Sequence, residues 1–460
     1  MQKTILKQET KENLPQKQNN KKLNFKDIES FYLNKKHNDS LLGLEYERLS
    51  LDRTTFKNAS YSTMEKIIQD FSTSQGWELV YDSSIVIGAK SKNNTSISLE
   101  PGCQLELSIS PKQNVFDIQL ELNKIIEILD SIALNYNVIF LGYGISPLST
   151  IQEIQILNKK RYEIMNNYLP SANYGELCPK MMRQSAGIQI NIDFKNQNDL
   201  YYKLKFYNLI MPFLNGLFSN SPIENNVLGE YKSYRSHVWH FCGSQRCNFF
   251  YKNVFKKLFQ KKNIIKNYIQ EVLNVPMVYI EKEGKIIPIN GKITFDEYLK
   301  KGYLGYFATL EDYILHQSLC FPDVRLKNYI EIRNHDSSNP KMALALCALY
   351  SGLMKCSSDW LLEQFKFLNF NDIDFYSKEA AKNGLDFKIK EKSNIDGWMV
   401  VEKIFNISKS ALIQNERIYL EPILEMINSR KTQADILIDY NINNAFDLIE
   451  FNYEKMLRKF

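Results

Sequence analysis

Residues 96–110 read SISLEPGCQLELSIS, and the fold turns on this stretch. Ser96, Ser98, Glu100, Gln104, Glu106, Ser108 and Ser110 hold even positions, whereas Ile97, Leu99, Cys103, Leu105, Leu107 and Ile109 hold odd ones. Alternation with period two places the two sets on opposite faces of a strand. A face that merely meets water mixes Lys, Thr, Arg and Glu. This one carries acids and an amide but no cation, which points to the floor of a site. Six residues of straight strand would hold Glu100 and Glu106 about 20 Å apart. Pro101-Gly102 between them is the mark of a bulge or bend, so the two acids are expected to serve neighbouring ions. Cys103 lies on the apolar side and is expected to be a buried packing thiol, not a nucleophile.

Outward from this strand, GLEYERLSL (43–51) reads as another strand, and a helix starts near Ser62 with Met64, Ile67, Ile68 and Phe71 at helical spacing. WELVYDSSIVIGAK (77–90) gives two short strands, and Val115, Ile118, Leu122, Ile125, Leu129, Ile132 and Tyr136 mark a long amphipathic helix. VIFLGYGISP (138–147) reads as strand then turn. SAGIQINIDF (185–194) is a further alternating strand, with Gln189, Asn191 and Asp193 on one face. Residues 197–219 are expected to be helical, VPMVYIEKEGKIIPI to form a hairpin around Glu283-Gly284, and the chain from about Met342 to be mostly helical. Several strands thus precede the first long helix. The expectation is a single α+β domain over 23–460 with a helical C-terminal portion over about 342–460, not an alternating βαβ chain.

The chain has 460 residues, 44% hydrophobic, enough for a large core. A formal charge of +6 over that length is too small an excess to argue for nucleic acid. The short basic run FFYKNVFKKLFQKK (249–262) reads as an amphipathic helix with a solvated face. Seven scattered cysteines fit a reducing compartment, and Cys242 and Cys247 with His237 and His240 give only a weak zinc signal. No apolar run approaches the ~20 residues that span a bilayer. Residues 1–22 read as a disordered polar tail, neither signal nor transit peptide, so the expected location is cytoplasmic. No P-loop or dinucleotide-binding glycine motif occurs.

Acids, amides and arginines recur on the strands. Glu45 and Glu47 share a face about 7 Å apart; hard oxygen ligands so placed suit magnesium, which takes few carboxylates and keeps room for substrate phosphates. SYRSHVW offers Arg235, and FPDVRLKNYIEIRNHD (321–336) offers Arg325, Glu331, Arg333 and Asp336. In IEIR, Glu331 and Arg333 share a face, setting a metal ligand beside a phosphate or carboxylate clamp. These segments together suggest phosphoryl chemistry on a sheet floor without a P-loop.

Eight segments in unbroken order resemble the plant and proteobacterial type of glutamate–cysteine ligase: GLEYE, SLEPGCQLELS, LGYGISP, RYEIMNNYLP, IQINIDF, FSNSP with SYRSHVW, VPMVYI, and FPDVRLKNYIEIRNHD. The resemblance implies an antiparallel sheet flanked by helices, of the fold shared with glutamine synthetase and guanidino kinases. It implies glutamate, cysteine and ATP as substrates, a γ-glutamyl phosphate intermediate, two or three Mg2+ ions, and γ-glutamylcysteine as product, the first step of glutathione biosynthesis. By position it makes Glu45, Glu47, Glu100, Glu106 and Glu331 the metal ligands. Arg235 would hold glutamate and Arg333 would lie near the transferred phosphate. Gln189, Asn191, Arg325, Arg333 and Arg246 are the expected ATP contacts. No nucleic-acid or membrane partner is expected, and the assembly would be a monomer or homodimer.

Three positions depart from the family pattern. An arginine five residues before the glutamine of the IQINIDF strand is replaced by Gln184, with Arg183 one step earlier, so this pair is assigned to substrate binding. An Asp-rich stretch after the tryptophan is replaced by HFCGSQRC, keeping Arg246. One cysteine of a regulatory disulfide aligns with Gln119 while its partner aligns with Cys347, so that redox control is expected to be absent. Two other readings stand beside the leading one: a ligase of the same superfamily using a different amine, and a catalytically silent homologue.

Overall fold

The computed structural model describes residues 22–34, 38, 40–243, 245–247 and 263–457. The polar tail, apart from Lys22, and the basic helix expected over 249–262 lie outside them. Strands β1 (Leu42–Asp52), β2 (Glu78–Asp82), β3 (Ile85–Lys90), β4 (Ser96–Leu99), β5 (Leu105–Lys112), β6 (Val138–Leu141) and β7 (Gly187–Ile192) come before two hairpins. The hairpins pair β8 (Ile223–Glu224) with β9 (Val227–Leu228) and β10 (Tyr279–Lys282) with β11 (Lys285–Pro288). β12 (Val324–Leu326) and β13 (Ile330–Asp336) complete the main sheet. Its order is β12-β13-β7-β1-β5-β4-β3-β2, with β6 on the far end of β1, and every pairing is antiparallel.

Alternation sorts the two faces of this sheet. Leu44 and Tyr46 of β1, Leu105 and Leu107 of β5, and Ile188 and Ile190 of β7 are fully buried on the apolar face. Helices Tyr61–Gln75, Val115–Asn135 and Pro340–Met354 cover it. The Val115–Asn135 helix starts at an Asn114 side-chain cap and buries Val115, Ile118, Leu122, Ile125 and Leu129, the spacing legible in the sequence. Arg48 also points to this side, where its Nη1 reaches Asp130 Oδ1 at 2.8 Å. The opposite face of β1, β5 and β7 presents Glu45, Glu47, Glu106, Ser108, Gln189 and Asn191.

The opening stretch is two strands, not one bent strand. Glu100–Cys103 is a reverse turn closed by the Cys103 N–H to the Glu100 carbonyl (2.9 Å), and Glu100 N–H returns to the Gln104 carbonyl (2.9 Å). Cys103 has φ 65°, the left-handed residue that closes a three-residue hairpin loop. A glycine would suit that position sterically. Gly102 is required for a different reason: a Cβ on it would lie 2.1 Å from the Arg183 carbonyl oxygen. Cys103 is buried as expected, but by the packing of the loop and not by strand alternation.

The C-terminal portion is mainly helical, interrupted by a small hairpin of Lys388–Ile389 with Lys392–Asp396. Its charged KIKEKSNID sequence has no apolar alternation to betray it. No described helix is long and apolar enough to cross a membrane.

Candidate active site

Because the chain folds back at Glu100, the β4–β5 hairpin carries Glu100 beside Glu106, and the β1–β5 register sets Glu47 directly opposite Glu106. One carboxylate oxygen from each of these three residues lies within 4.8 Å of the other two. Among the described residues this is the only such group of three acid, histidine or cysteine side chains. The expectation of separate neighbouring ions for Glu100 and Glu106 is therefore replaced by donor atoms close enough to share one. Two unit charges at that separation repel by about 3 kcal/mol at an effective dielectric near 20, so the cluster calls for a cation. Three hard oxygen donors fit magnesium or a similar divalent ion.

Hydrogen bonds fix the carboxylates in place. Glu47 Oε2 accepts from the Gly187 N–H (2.5 Å) and its Oε1 from Gln189 Nε2 (3.0 Å). Glu106 Oε1 accepts from Ser108 Oγ (3.0 Å) and Ser98 Oγ (3.4 Å). Glu45, one step along the same face, accepts from Asn191 Nδ2 at 2.8 Å. Burial and the charge of Glu100 raise the Glu47 carboxyl from 4.5 to about 7, against Arg235, the Gly187 N–H and Arg333. Burial, then Glu45, Glu100 and Glu47, push Glu106 well above the usual carboxylate range. Burial also raises Glu100, opposed by Lys159 and Arg333.

A carboxyl whose pKa is raised by folding binds more protons folded than unfolded, so its contribution is full below 4.5 and is lost as pH rises through about 7. The metal-free protein is expected to lose stability across that window, and magnesium, which needs the deprotonated ligands, to restore it. Thermal unfolding with and without MgCl2 checks this: the magnesium-induced rise in Tm should be larger at about pH 8 than at about pH 5. An equal rise at both would contradict the shared-ion cluster.

On the β13 flank, Arg333 Nη1 donates to Gln189 Oε1 (3.1 Å) and Glu331 Oε2 (2.7 Å), so Gln189 bridges Arg333 to Glu47. Arg235 is 2% exposed; its Nη1 donates to Asn334 Oδ1 (3.0 Å) and its Nη2 to the Arg333 carbonyl (3.3 Å). Both guanidinium groups lie over the Trp239 ring, at 5.5 Å for Arg235 and 5.8 Å for Arg333. The Nε of each is buried without a hydrogen-bond partner among the described residues. Asp336 anchors this flank, accepting from the Asn220 N–H (2.9 Å), Ser221 Oγ (2.6 Å) and Ser233 Oγ (2.8 Å). That explains why FSNSP and SYRSHVW act together. Ser233 caps the helix that carries Arg235.

Several expected site residues have other employment. Glu331 is not a member of the carboxylate cluster: Arg325, Lys327 and Arg333 all pair with it at 2.6–2.7 Å. Burial alone would raise its carboxyl, but these three cations hold it well below the usual range. Arg325, expected at ATP, is fully buried, its remaining donor on the Ser318 and Cys320 carbonyls (2.9 and 3.0 Å). Arg246, also expected at ATP, is buried with its guanidinium on the backbone carbonyls of Leu319 and Pro276. Arg183 and Gln184, expected at the substrate, hold the loop after β6. Arg183 Nη1 donates to the Ile151 carbonyl (2.7 Å) and Nη2 to Asn166 Oδ1 (3.1 Å); Gln184 Nε2 donates to the Ser149 carbonyl (2.7 Å). The Cys242 and Cys247 thiols donate to the Val238 and Cys242 carbonyls, both at 3.1 Å, and His237 stacks on Tyr231.

Four residues near the floor escaped the sequence reading. Asp323 sits between Arg235 and Arg333 electrostatically, its carboxyl raised to about 7 by burial against both arginines. Lys327 was hidden because its only signal is a four-residue offset from Glu331. Lys159 lies two residues before the RYEIM segment and Arg161 opens it, each 5% exposed, at a helix start where charged residues normally read as solvated.

A family model described as glutamate–cysteine ligase family 2 matches residues 41–454. The chain is 30% identical over 410 residues to the chloroplastic glutamate–cysteine ligase of Arabidopsis thaliana, covering 87% of this chain and 76% of that one. It is 28% identical over 417 residues to chloroplastic glutamate–cysteine ligase B of Oryza sativa subsp. japonica, covering 86% and 79%. Among solved structures, glutamate–cysteine ligase from Francisella tularensis in complex with AMP superposes with a TM-score of 0.53 at 16% identity, covering 88% of this chain and 85% of that one. This last likeness establishes the sheet-and-helix fold.

Proposed function

The chain belongs to glutamate–cysteine ligase family 2, and from that premise we propose that its carboxylate floor joins glutamate to cysteine at the expense of ATP. The reaction is a carbon–nitrogen ligation. A carboxylate is a poor electrophile, so the γ-carboxylate of glutamate first attacks the γ-phosphorus of ATP and releases ADP. The amine of cysteine then attacks the acyl carbon, phosphate leaves, and the nitrogen loses a proton to give γ-glutamylcysteine.

The observation that carries this reading is the convergence of Glu47, Glu100 and Glu106 beside the buried Arg235 and half-buried Arg333, each with a buried, unfilled Nε donor. Glu47, Glu100 and Glu106, with Glu45 next to them, would hold magnesium. Bound there, it would neutralise phosphate charge that otherwise keeps two anions apart. Arg333 would face the transferred phosphoryl group, since its guanidinium already bridges Gln189 and Glu331 at the floor. Arg235 would take a carboxylate of glutamate; its planar fork suits that group. The seven free cysteines support a reducing location, and the cytoplasm is the compartment proposed.

Gly187 keeps room for Arg235, because a Cβ there would lie 2.4 Å from its Nη2. Gly187→Ala is therefore expected to raise the KM for glutamate by roughly 10-fold with little change in that for ATP, which initial-rate kinetics will measure. The reading itself is tested with purified protein and MgCl2. ADP release should require both glutamate and cysteine, with γ-glutamylcysteine found by mass spectrometry. ADP formation indifferent to either amino acid would overturn it.

A further inference from the structure

On the proposed reaction three substrates that carry anionic groups meet on this floor, and the β13 flank supplies cations for two of them. The other flank carries a second pair. Leu157 N–H donates to the Pro101 carbonyl (2.9 Å), tying the segment that leads into helix Lys160–Tyr168 to the very turn that presents Glu100. Two residues on, Lys159 is 5% exposed, and its ammonium has no hydrogen-bond partner among the described residues. It lies 4.9 Å from the centre of the Tyr162 ring and within electrostatic reach of Glu100 and Asp82. Arg161 beside it is equally buried. Its nearest acid, Asp82, is 3.7 Å away, and its Nε is likewise unpartnered.

An ammonium buried with no hydrogen-bond acceptor is costly, and a second buried cation beside it, held by Asp82 at 3.7 Å and Tyr162 Oη at 3.5 Å, adds to that cost. Burial lowers the Lys159 pKa to about 8, against the pull of Asp82 and Glu100. The loop is nonetheless held in place by design of the fold, since Arg183 and Gln184 anchor its carbonyls at Ile151 and Ser149. A group that stays charged and unfilled in such a place is built for an anion that arrives with a substrate.

We infer that Lys159, with Arg161 beside it, receives the carboxylate of the amine-donating amino acid, on the flank opposite Arg235 and Arg333. The inference rests on the glutamate–cysteine reading, in which ATP and glutamate occupy the β13 flank and leave one carboxylate without a cation. It places the acceptor amine over the floor between the two flanks, where an acyl phosphate would be attacked.

The test compares cysteine with cysteamine, the same amine and thiol without the carboxylate, in the full-length protein and in Lys159→Met and Lys159→Arg. The parent should prefer cysteine strongly. In Lys159→Met the kcat/KM for cysteine should fall by roughly 100-fold while that for cysteamine changes by less than about 3-fold, and the KM values for glutamate and ATP stay put. Lys159→Arg should recover part of the preference for cysteine. Equal losses with both amines, or a loss carried by the KM of glutamate or ATP, would overturn the assignment while leaving the ligase reading intact. A parent that turns over ATP with glutamate but does not distinguish cysteine from cysteamine would overturn it as well. A parent that turns over neither amine would overturn the ligase reading itself, and this assignment with it.

Discussion

Glu106→Gln should cut ADP release by on the order of 10³-fold, equivalent to about 4 kcal/mol of lost transition-state stabilisation, and yet leave the metal-free protein at least as stable as the parent. Both halves follow from one arrangement. Glu106 is 7% exposed and surrounded by Glu45, Glu47 and Glu100, which together with burial drive its carboxyl pKa well up. The amide oxygen of glutamine can still accept from Ser98 and Ser108, so the local hydrogen bonds survive. What disappears is one charge that repels its neighbours and attracts the ion. Activity and stability therefore move in opposite directions, which a variant that merely damaged the fold would not do. Steady-state kinetics and urea denaturation without metal check the two halves. Loss of both would mean that Glu106 is structural.

Arg325→Met should have the opposite signature, a stability loss of about 3–5 kcal/mol, a large part of the ~5–15 kcal/mol that holds a typical domain together. Arg325 is fully buried, and both its Nε and Nη2 lie 2.6 Å from Glu331 Oε2. Glu331 is 1% exposed, so removing that guanidinium leaves a buried carboxylate with Lys327 and Arg333, neither of which is so deeply buried. Stranding a buried charge costs far more than removing the whole pair. Hence Arg325→Met combined with Glu331→Leu should regain a substantial share of the loss. Urea midpoints of the single and double variants measure this. A single variant as stable as the parent would show that Lys327 and Arg333 suffice for Glu331.

The two sets of residues differ in how far the sequence disclosed them. The faces of β1, β5 and β7 were legible because period-two alternation with buried aliphatic partners leaves no second reading, and Glu45, Glu47, Glu106, Gln189 and Asn191 followed from it. The hairpin at Glu100–Cys103 was not legible. Pro-Gly is equally compatible with a bulge, and the left-handed residue that distinguishes the hairpin is here a cysteine, not a glycine. That single ambiguity separated Glu100 from Glu106 by a strand's length instead of a hydrogen-bonded turn. Three arginines expected at the substrates engage other partners, which the sequence does not announce. Arg183, Arg246 and Arg325 donate chiefly to backbone carbonyls or to a neighbouring buried acid, and carbonyls carry no residue-specific signal in a sequence. Lys159 and Arg161 were overlooked because a helix start rich in cations ordinarily faces water, and only the packing of the loop after β6 onto the Glu100 turn buries them.

The floor is proposed to activate glutamate by phosphorylating it. Glutamate carrying oxygen-18 in its γ-carboxylate, incubated with ATP, magnesium and cysteine, tests that claim directly. Each phosphate released should carry one labelled oxygen, seen as an upfield-shifted phosphorus resonance, in step with γ-glutamylcysteine formed. Unlabelled phosphate accompanying a labelled dipeptide would contradict it.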